Sequence, residues 1–304
     1  MQVFYNASSF TDKIQSSINK FGCEPESNLF YYLNYKSKKN ELVLFDFGDD
    51  CIALAEFSKS SGTWSLMPAS ILSPESCKLN ILLDFINYCL MEAKGKKVYV
   101  EIKEALYKDL KEKYKTAAFN LNISKINCTY YWPVIDLELW DSSLSSSFWY
   151  RLRKIKNQFY RRNLVKTVLA VDSPKKELKN IVSEWKNLRK GKDKCYNRLY
   201  LNFIDDNFSG TDFATVIYVN DKPSSITAGW KIQNTNSFYL SILLHNYCVT
   251  GLGEISYLEC LNKLKDAGYK SVDLGGSYKN LLLFKEKFNP HSIYKTVEFS
   301  IVKV

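Results

Sequence analysis

The alternation of apolar and polar positions divides the chain into two passes of the same kind. In the first, an amphipathic stretch over residues 10–21 predicts a helix. Three short apolar runs follow at 42–47, 51–57 and 63–67, separated by Gly48-Asp49-Asp50 and by the polar stretch 58–62. Short runs punctuated by glycine and polar residues predict a meander of strands. After Pro74 the spacing becomes helical: Leu79, Leu82, Leu83, Ile86 and Leu90 share one face, and Gly95 closes it. A strand at 97–102, a helix at 105–115 and further strands to about residue 139 complete the pass.

Residues 141–147 are serine-rich and carry no periodic pattern, which places a boundary there. The second pass opens with helices at 148–166 and 175–190. Strands at 213–219, 224–232 and 238–244 follow, with turns at Asn220-Asp221-Lys222-Pro223 and at 233–236. A helix runs from Gly253 to about Ala267 with Ile255, Leu258, Leu261 and Leu264 on one stripe, and Gly268 caps it. A strand at 271–274, a helix at 278–288 and a last strand complete the order; in the tail Val297, Phe299 and Ile301 alternate with Thr296, Glu298 and Ser300. Both passes therefore read strand, strand, strand, loop, helix, strand, helix, strand. That repetition predicts an α+β protein of two tandem lobes, 1–141 and 142–304, each a mixed, mostly antiparallel sheet flanked by helices.

Composition adds three constraints. The 304 residues suffice for two domains of ordinary size. A net charge of +10 favours anionic partners without choosing among them. The eight cysteines form no Cys-x-x-Cys pair and the two histidines, His245 and His291, lie far apart, so no metal site is expected. No apolar run reaches the length of a membrane span and the N-terminus lacks the pattern of a secretory signal. A cytoplasmic protein with reduced cysteines is expected.

The loop Cys248-Val249-Thr250-Gly251-Leu252-Gly253 follows a strand and opens a helix. Glycines there allow close backbone approach, and N–H groups at a helix start suit a pyrophosphate. The corresponding loop of the first pass, 68–77, has no glycine, so the first lobe is expected to lack an intact donor loop. Beyond this loop, Asp273-Leu274-Gly275-Gly276 ends a strand and Phe284-Lys285-Glu286-Lys287-Phe288 lies on the next helix. Residues 252–288 resemble the C-terminal part of the GNAT superfamily branch that holds the Fem peptidoglycan-bridge aminoacyltransferases and the phosphatidylglycerol lysyltransferase domains.

The resemblance implies two tandem GNAT lobes and an acyltransferase. Its expected donor is acyl-CoA, which the Gly-x-Gly loop favours; aminoacyl-tRNA, which the basic helix and the Phe-Lys-x-x-Phe helix favour, is the alternative. The acceptor it implies is an amine on a small molecule or a surface-polymer precursor. Two departures stand out. Cys248 occupies the place where acetyl-CoA enzymes carry Gln or Arg, and Phe284 stands where many of them place a tyrosine acid.

Acyl transfer to an amine needs a proton acceptor, a polarised carbonyl and a stabilised leaving group. His245, at a strand end before the glycine loop, is a candidate base. Asp273 either orients the amine or caps the Gly275–Gly276 turn. Lys285 resembles the Fem-type lysine that faces the acyl carbonyl or phosphates, and Tyr278 is the nearest alternative acid. Residues 151–166 hold seven basic residues and no acid, so Arg151, Arg153, Arg161 and Arg162 are candidates for holding tRNA phosphates, a nucleotide-linked acceptor or CoA phosphates. A second basic cluster, Lys186, Arg189, Lys190, Lys192 and Lys194, follows. A non-catalytic nucleic-acid-binding protein on the same scaffold is the alternative to an enzyme.

Overall fold

The computed structural model describes residues 1–35, 39–116, 121–189 and 197–303. Its strands are β1 (Gln2–Tyr5), β2 (Glu41–Gly48), β3 (Cys51–Ser58), β4 (Thr63–Leu66), β5 (Lys97–Lys103), β6 (Leu121–Ile123), β7 (Cys128–Asp136), β8 (Val165–Leu169), β9 (Phe213–Val219), β10 (Lys222–Lys231), β11 (Ser237–His245), β12 (Ser271–Asp273) and β13 (Ser292–Lys303). The helices are α1 (Thr11–Phe21), α2 (Leu29–Tyr35), α3 (Glu75–Asn87), α4 (Glu104–Thr116), α5 (Tyr150–Arg162), α6 (Lys175–Asn187), α7 (Arg198–Asp205), α8 (Leu252–Asp266) and α9 (Lys279–Lys285). None of the described helices is long and apolar enough to cross a membrane.

The turns follow local chemistry. Asn220 and Asp221 both adopt positive φ (51° and 64°), and Val219 pairs with Lys222 across them. This is the two-residue hairpin whose twist suits antiparallel strands. Pro223, which has no N–H to give, sits where the β9–β10 register shifts. Helix α5 ends at Arg162, and Asn163 turns extended to start the edge strand β8. The sequence pattern predicts a helix running on to residue 166, and the extended backbone of Asn163 ends it earlier.

The expected α+β architecture is present: a mixed, mostly antiparallel sheet with helices on both faces. The two halves do not keep separate sheets, however. Strands join in the order β1-β2-β3-β4-β5-β13-β7-β12-β11-β10-β9-β8, with β6 also on β13. Each half lends its last strand to the other. β13 lies between β5 and β7, antiparallel to both, while β7 pairs with β12 of the second half. The alternation in the tail explains why β13 can do this. Val297, Phe299 and Ile301 are buried under α3 and α4 with the first half's core, and Thr296 and Ser300 point to the other face.

Three apolar cores follow from this layout. One lies under α3 and α4 on the first half, and one under α5 and α8 on the second. The third is shared: Ile14 and Ile18 of α1, Tyr31 and Tyr32 of α2, Leu178 and Ile181 of α6 and Phe203 of α7 cover the opposite face of both halves. Within each half one strand pair is parallel, β4–β5 and β11–β12, and each pair holds only three residues in register before its strands part. Those two partings position the sites described next.

Candidate active site

The pairing Ser237–Ser271, Phe238–Val272, Tyr239–Asp273 ends at Asp273. Strand β11 continues on β10 to His245, while the chain after Asp273 turns away at Gly275, whose φ is +80°. The gap is filled from α9. The Nζ of Lys285 donates to the carbonyls of Leu274 and Gly275, the latter at 2.9 Å. Asp273 accepts from the Gly275 N–H at 2.8 Å and from the Tyr294 hydroxyl at 2.8 Å. Both ionisable side chains are buried. Burial pulls the Lys285 ammonium down to about 7, opposed by the Asp273 charge. Burial raises the Asp273 carboxyl to about 6, opposed by its two hydrogen-bond donors and by Lys285. Two of the three ammonium hydrogens are committed to backbone, which leaves the third for a ligand.

His245 stands on the other face of the same gap. Tyr239 and Asp273 are paired and face the shared core, whereas the His245 ring lies against Gly253 of α8. A Cβ at Gly253 would meet His245 Cε1 and Nε2 at 2.9 Å and Phe284 at 3.3 Å. Burial, reinforced by Arg189 and opposed by Glu254, lowers the imidazole to about 4, so it is neutral at pH 7. The Tyr247 ring packs edge-on against His245 at 4.6 Å, and its hydroxyl accepts from Arg189 Nη2 at 3.0 Å. Arg189 in turn lies over the Trp185 ring. The buried Nδ1 of His245 and Nε of Arg189 have no hydrogen-bond partner among the described residues. Buried nitrogens left open in this way mark a place for water or substrate.

The glycine loop differs from the open phosphate cradle that its sequence suggests. Gly251 caps α8 at φ +86°, and a Cβ there would meet Ile155 of α5 at 3.1 Å. The N–H groups of Cys248, Val249 and Leu252 donate within the loop, to Asn246 Oδ1, Asn246 O and Val249 O. Glu254, in the first turn of α8, accepts from Lys287 at 2.7 Å and places a carboxylate at the positive end of the helix. Protein packing accounts for both glycines. Thr250 and Cys248 are exposed and line, with Val249, Arg162 and Lys222, a groove of about 740 Å³.

Of the remaining candidates, Tyr278 turns to the Tyr130 hydroxyl at 3.4 Å and is 40% exposed; it does not share hydrogen bonds with Asp273 or Lys285. Arg153 donates to the carbonyls of Leu144, Ser145 and Ser146 and so holds the connection between the halves. Arg151, Arg161 and Arg162 are exposed. Lys190, Lys192 and Lys194 lie outside the described residues.

A second polar region escapes sequence reasoning. Where β4 and β5 part, a cavity of about 80 Å³ is lined by Glu24, Glu26, Glu101, Lys78, Trp132 and Tyr294 among others. Lys78 and Lys103 hold the Glu24 carboxylate at 2.6 and 3.4 Å. Burial is opposed by these cations, which leave the Glu24 pKa below its ordinary value. Glu101, bonded to Thr296, is raised to about 7 by burial. Tyr294 and Lys103 also line a groove of about 540 Å³ that reaches Asp273. These residues come from five distant segments. Only the alternation that turns Glu101 away from Val98, Val100 and Ile102 hinted at a polar face on β5.

No family model and no curated protein matches the sequence. Solved structures do match its fold over nearly the whole chain. L-PGS from Bacillus licheniformis is 16% identical with a TM-score of 0.65, over 96% of this chain and 91% of that one. FemX is 11% identical with a TM-score of 0.62, over 99% and 97%. A tandem GNAT protein from the clavulanic acid biosynthesis pathway is 9% identical with a TM-score of 0.58, over 98% of both chains. The fold is the tandem-lobed GNAT fold in its Fem-like form.

Proposed function

We propose that this chain is an aminoacyltransferase that takes its donor from aminoacyl-tRNA and delivers it to an amine-bearing precursor. The observation that carries the proposal is the geometry of Lys285, whose buried Nζ is fixed on two backbone carbonyls next to Asp273 at the parting of β11 and β12 and, when protonated, has a third N–H to give. In the transfer, the acceptor amine attacks the ester carbonyl and a C–N bond forms. The C–O bond to the tRNA ribose then breaks, the amine loses a proton and the ribose oxygen gains one. The third N–H of Lys285 stabilises the oxyanion of the tetrahedral intermediate. Asp273, ionised at neutral pH, holds the incoming ammonium on the shared-core side of the sheet. Both donors considered from the sequence occur in the cytoplasm, and we place the reaction there.

The preference for aminoacyl-tRNA over acyl-CoA rests on the loop at Gly251 and Gly253, where α5, His245 and Phe284 take up the space that the Gly-x-Gly pattern suggested for a pyrophosphate. The groove beside Cys248–Thr250, with Arg162 and Lys222 on its rim, supports acyl-CoA as a second reading. One experiment separates them. The full chain is incubated with radiolabelled aminoacyl-tRNA and a nucleotide-linked muropeptide whose stem peptide carries a free amine, and in parallel titrated with CoA. Transfer of label that Lys285→Met abolishes, with no heat of CoA binding, is the expected result. Saturable CoA binding and no transfer from any aminoacyl-tRNA would overturn it.

A further inference from the structure

Helix α5 carries Arg151, Lys154, Arg161 and Arg162 on its outward arc, all exposed. No acidic residue occurs between Ser142 and Val171 to offset them. Charge is only half of the pattern. Phe148 (61% exposed) and Tyr150 (59%) stand at the N-terminal end of the helix, and Leu164 (77%) lies just beyond its C-terminal end. The inner face is fully used: Leu152 and Phe159 are buried in the core with α8, and Ile155 packs on Gly251. The exposed apolar groups are therefore not a spare part of that core. They lie at the two ends of a row of cations.

We propose that this face of α5 docks on an anionic lipid bilayer. Cations at headgroup level are drawn to the negative surface, while large apolar side chains beside them enter the headgroup–acyl boundary. Nucleic acid would use the cations equally well. It offers nothing to Leu164, whose aliphatic side chain cannot stack on a base as an aromatic ring does. The two apolar ends thus favour the lipid surface. Docking in this pose would bring Arg162 and the adjoining groove beside Cys248–Thr250 to the level of the headgroups.

The test is cosedimentation of the full chain with vesicles of phosphatidylcholine alone or mixed with phosphatidylserine, with binding to a short RNA duplex measured alongside. Phosphatidylserine supplies the surface charge, and with no aminoacyl donor present the assay reads docking alone. Binding to the mixed vesicles only is expected. It should fall roughly tenfold or more in R151E/R161E and also in F148S/L164S, whereas F148S/L164S leaves any RNA binding unchanged. The proposal is overturned if the mixed vesicles are not bound, or if their binding ignores F148S/L164S. It is equally overturned if only the RNA is bound. Lys285→Met should bind vesicles as the native chain does, so loss of the aminoacyltransferase reading would leave this result standing.

Discussion

Lys285 is held by backbone carbonyls rather than by a salt bridge, so its position depends little on its charge while its charge depends strongly on burial. The pKa falls from an ordinary 10.5 to about 7 on folding, which means the unfolded chain binds this proton more tightly. The cost to the native state is absent above pH 10.5, grows as the pH falls towards 7, and is constant below. Lys285→Met removes that cost. Its stability relative to wild type, followed by urea unfolding, should therefore be higher at pH 6 than at pH 9, while turnover drops about 100-fold. A variant that lost stability most at pH 6 would contradict the sign. Gly253 makes a companion case. An alanine in a helix usually gains about 0.5–1 kcal/mol over glycine. Here its Cβ would press on the His245 ring, so a loss of roughly 1–3 kcal/mol is expected. In a His245→Ala background the same change should become neutral or favourable. Persistence of the loss there would mean that something other than the histidine fills the space.

Helix α5 does two jobs with residues of one chemical type, and the two should separate by mutation. Arg153→Ala strips a donor from three carbonyls of the connection at 144–146 and should cost about 1–2 kcal/mol in denaturant unfolding, with anion binding unchanged. Arg161→Glu should do the reverse: unfolding stays within about 0.5 kcal/mol of wild type while RNA or vesicle binding weakens. Equal effects of the two on binding would return Arg153 to the anion-binding set. From spacing alone all four arginines looked alike, because nothing in the sequence shows that the connection folds back over the helix. The same limit runs through the other elements. Strands β2, β3 and β4 and helix α8 were legible, since glycine and polar punctuation or a clean apolar stripe bounded them. The edge strand β8 was absorbed into α5 because Asn163 is too weak a breaker to show. Helix α2 carries aromatics all round and has no legible period, and α7 is only eight residues long. At the site, the residues after β12 were legible as a motif. That Asp273 and His245 face opposite sides of the sheet was not, because it depends on the bulge in β11 between Tyr239 and Ile242, which reverses the alternation along that strand.

At the scale of the molecule the two passes of the sequence share one sheet. The cut at residue 141 divides the chain between its repeats, yet β7 belongs to one side of that cut and pairs with β12 on the other, while β13 is the reverse. The core under α1, α2, α6 and α7 is common to both halves. A fragment ending at residue 141 would leave β5 with an open edge and Val98 and Val100 without Val297, Phe299 and Ile301 beside them. Burial of side chains of that size is worth about 1.5–3 kcal/mol each. Set against a domain stability of about 5–15 kcal/mol, removing three is enough to unfold the first half. The second half alone would lose β7 from between β12 and β13 and break its sheet in the middle. Heating the whole chain should therefore give one calorimetric transition whose van't Hoff and calorimetric enthalpies agree, even though the repeat invites two. Fragments 1–141 and 142–304 should each be unfolded when made alone and should fold when mixed or coexpressed. Two resolved transitions, or a native-like spectrum from either fragment alone, would show that the exchanged strands decorate two independent lobes instead of joining them.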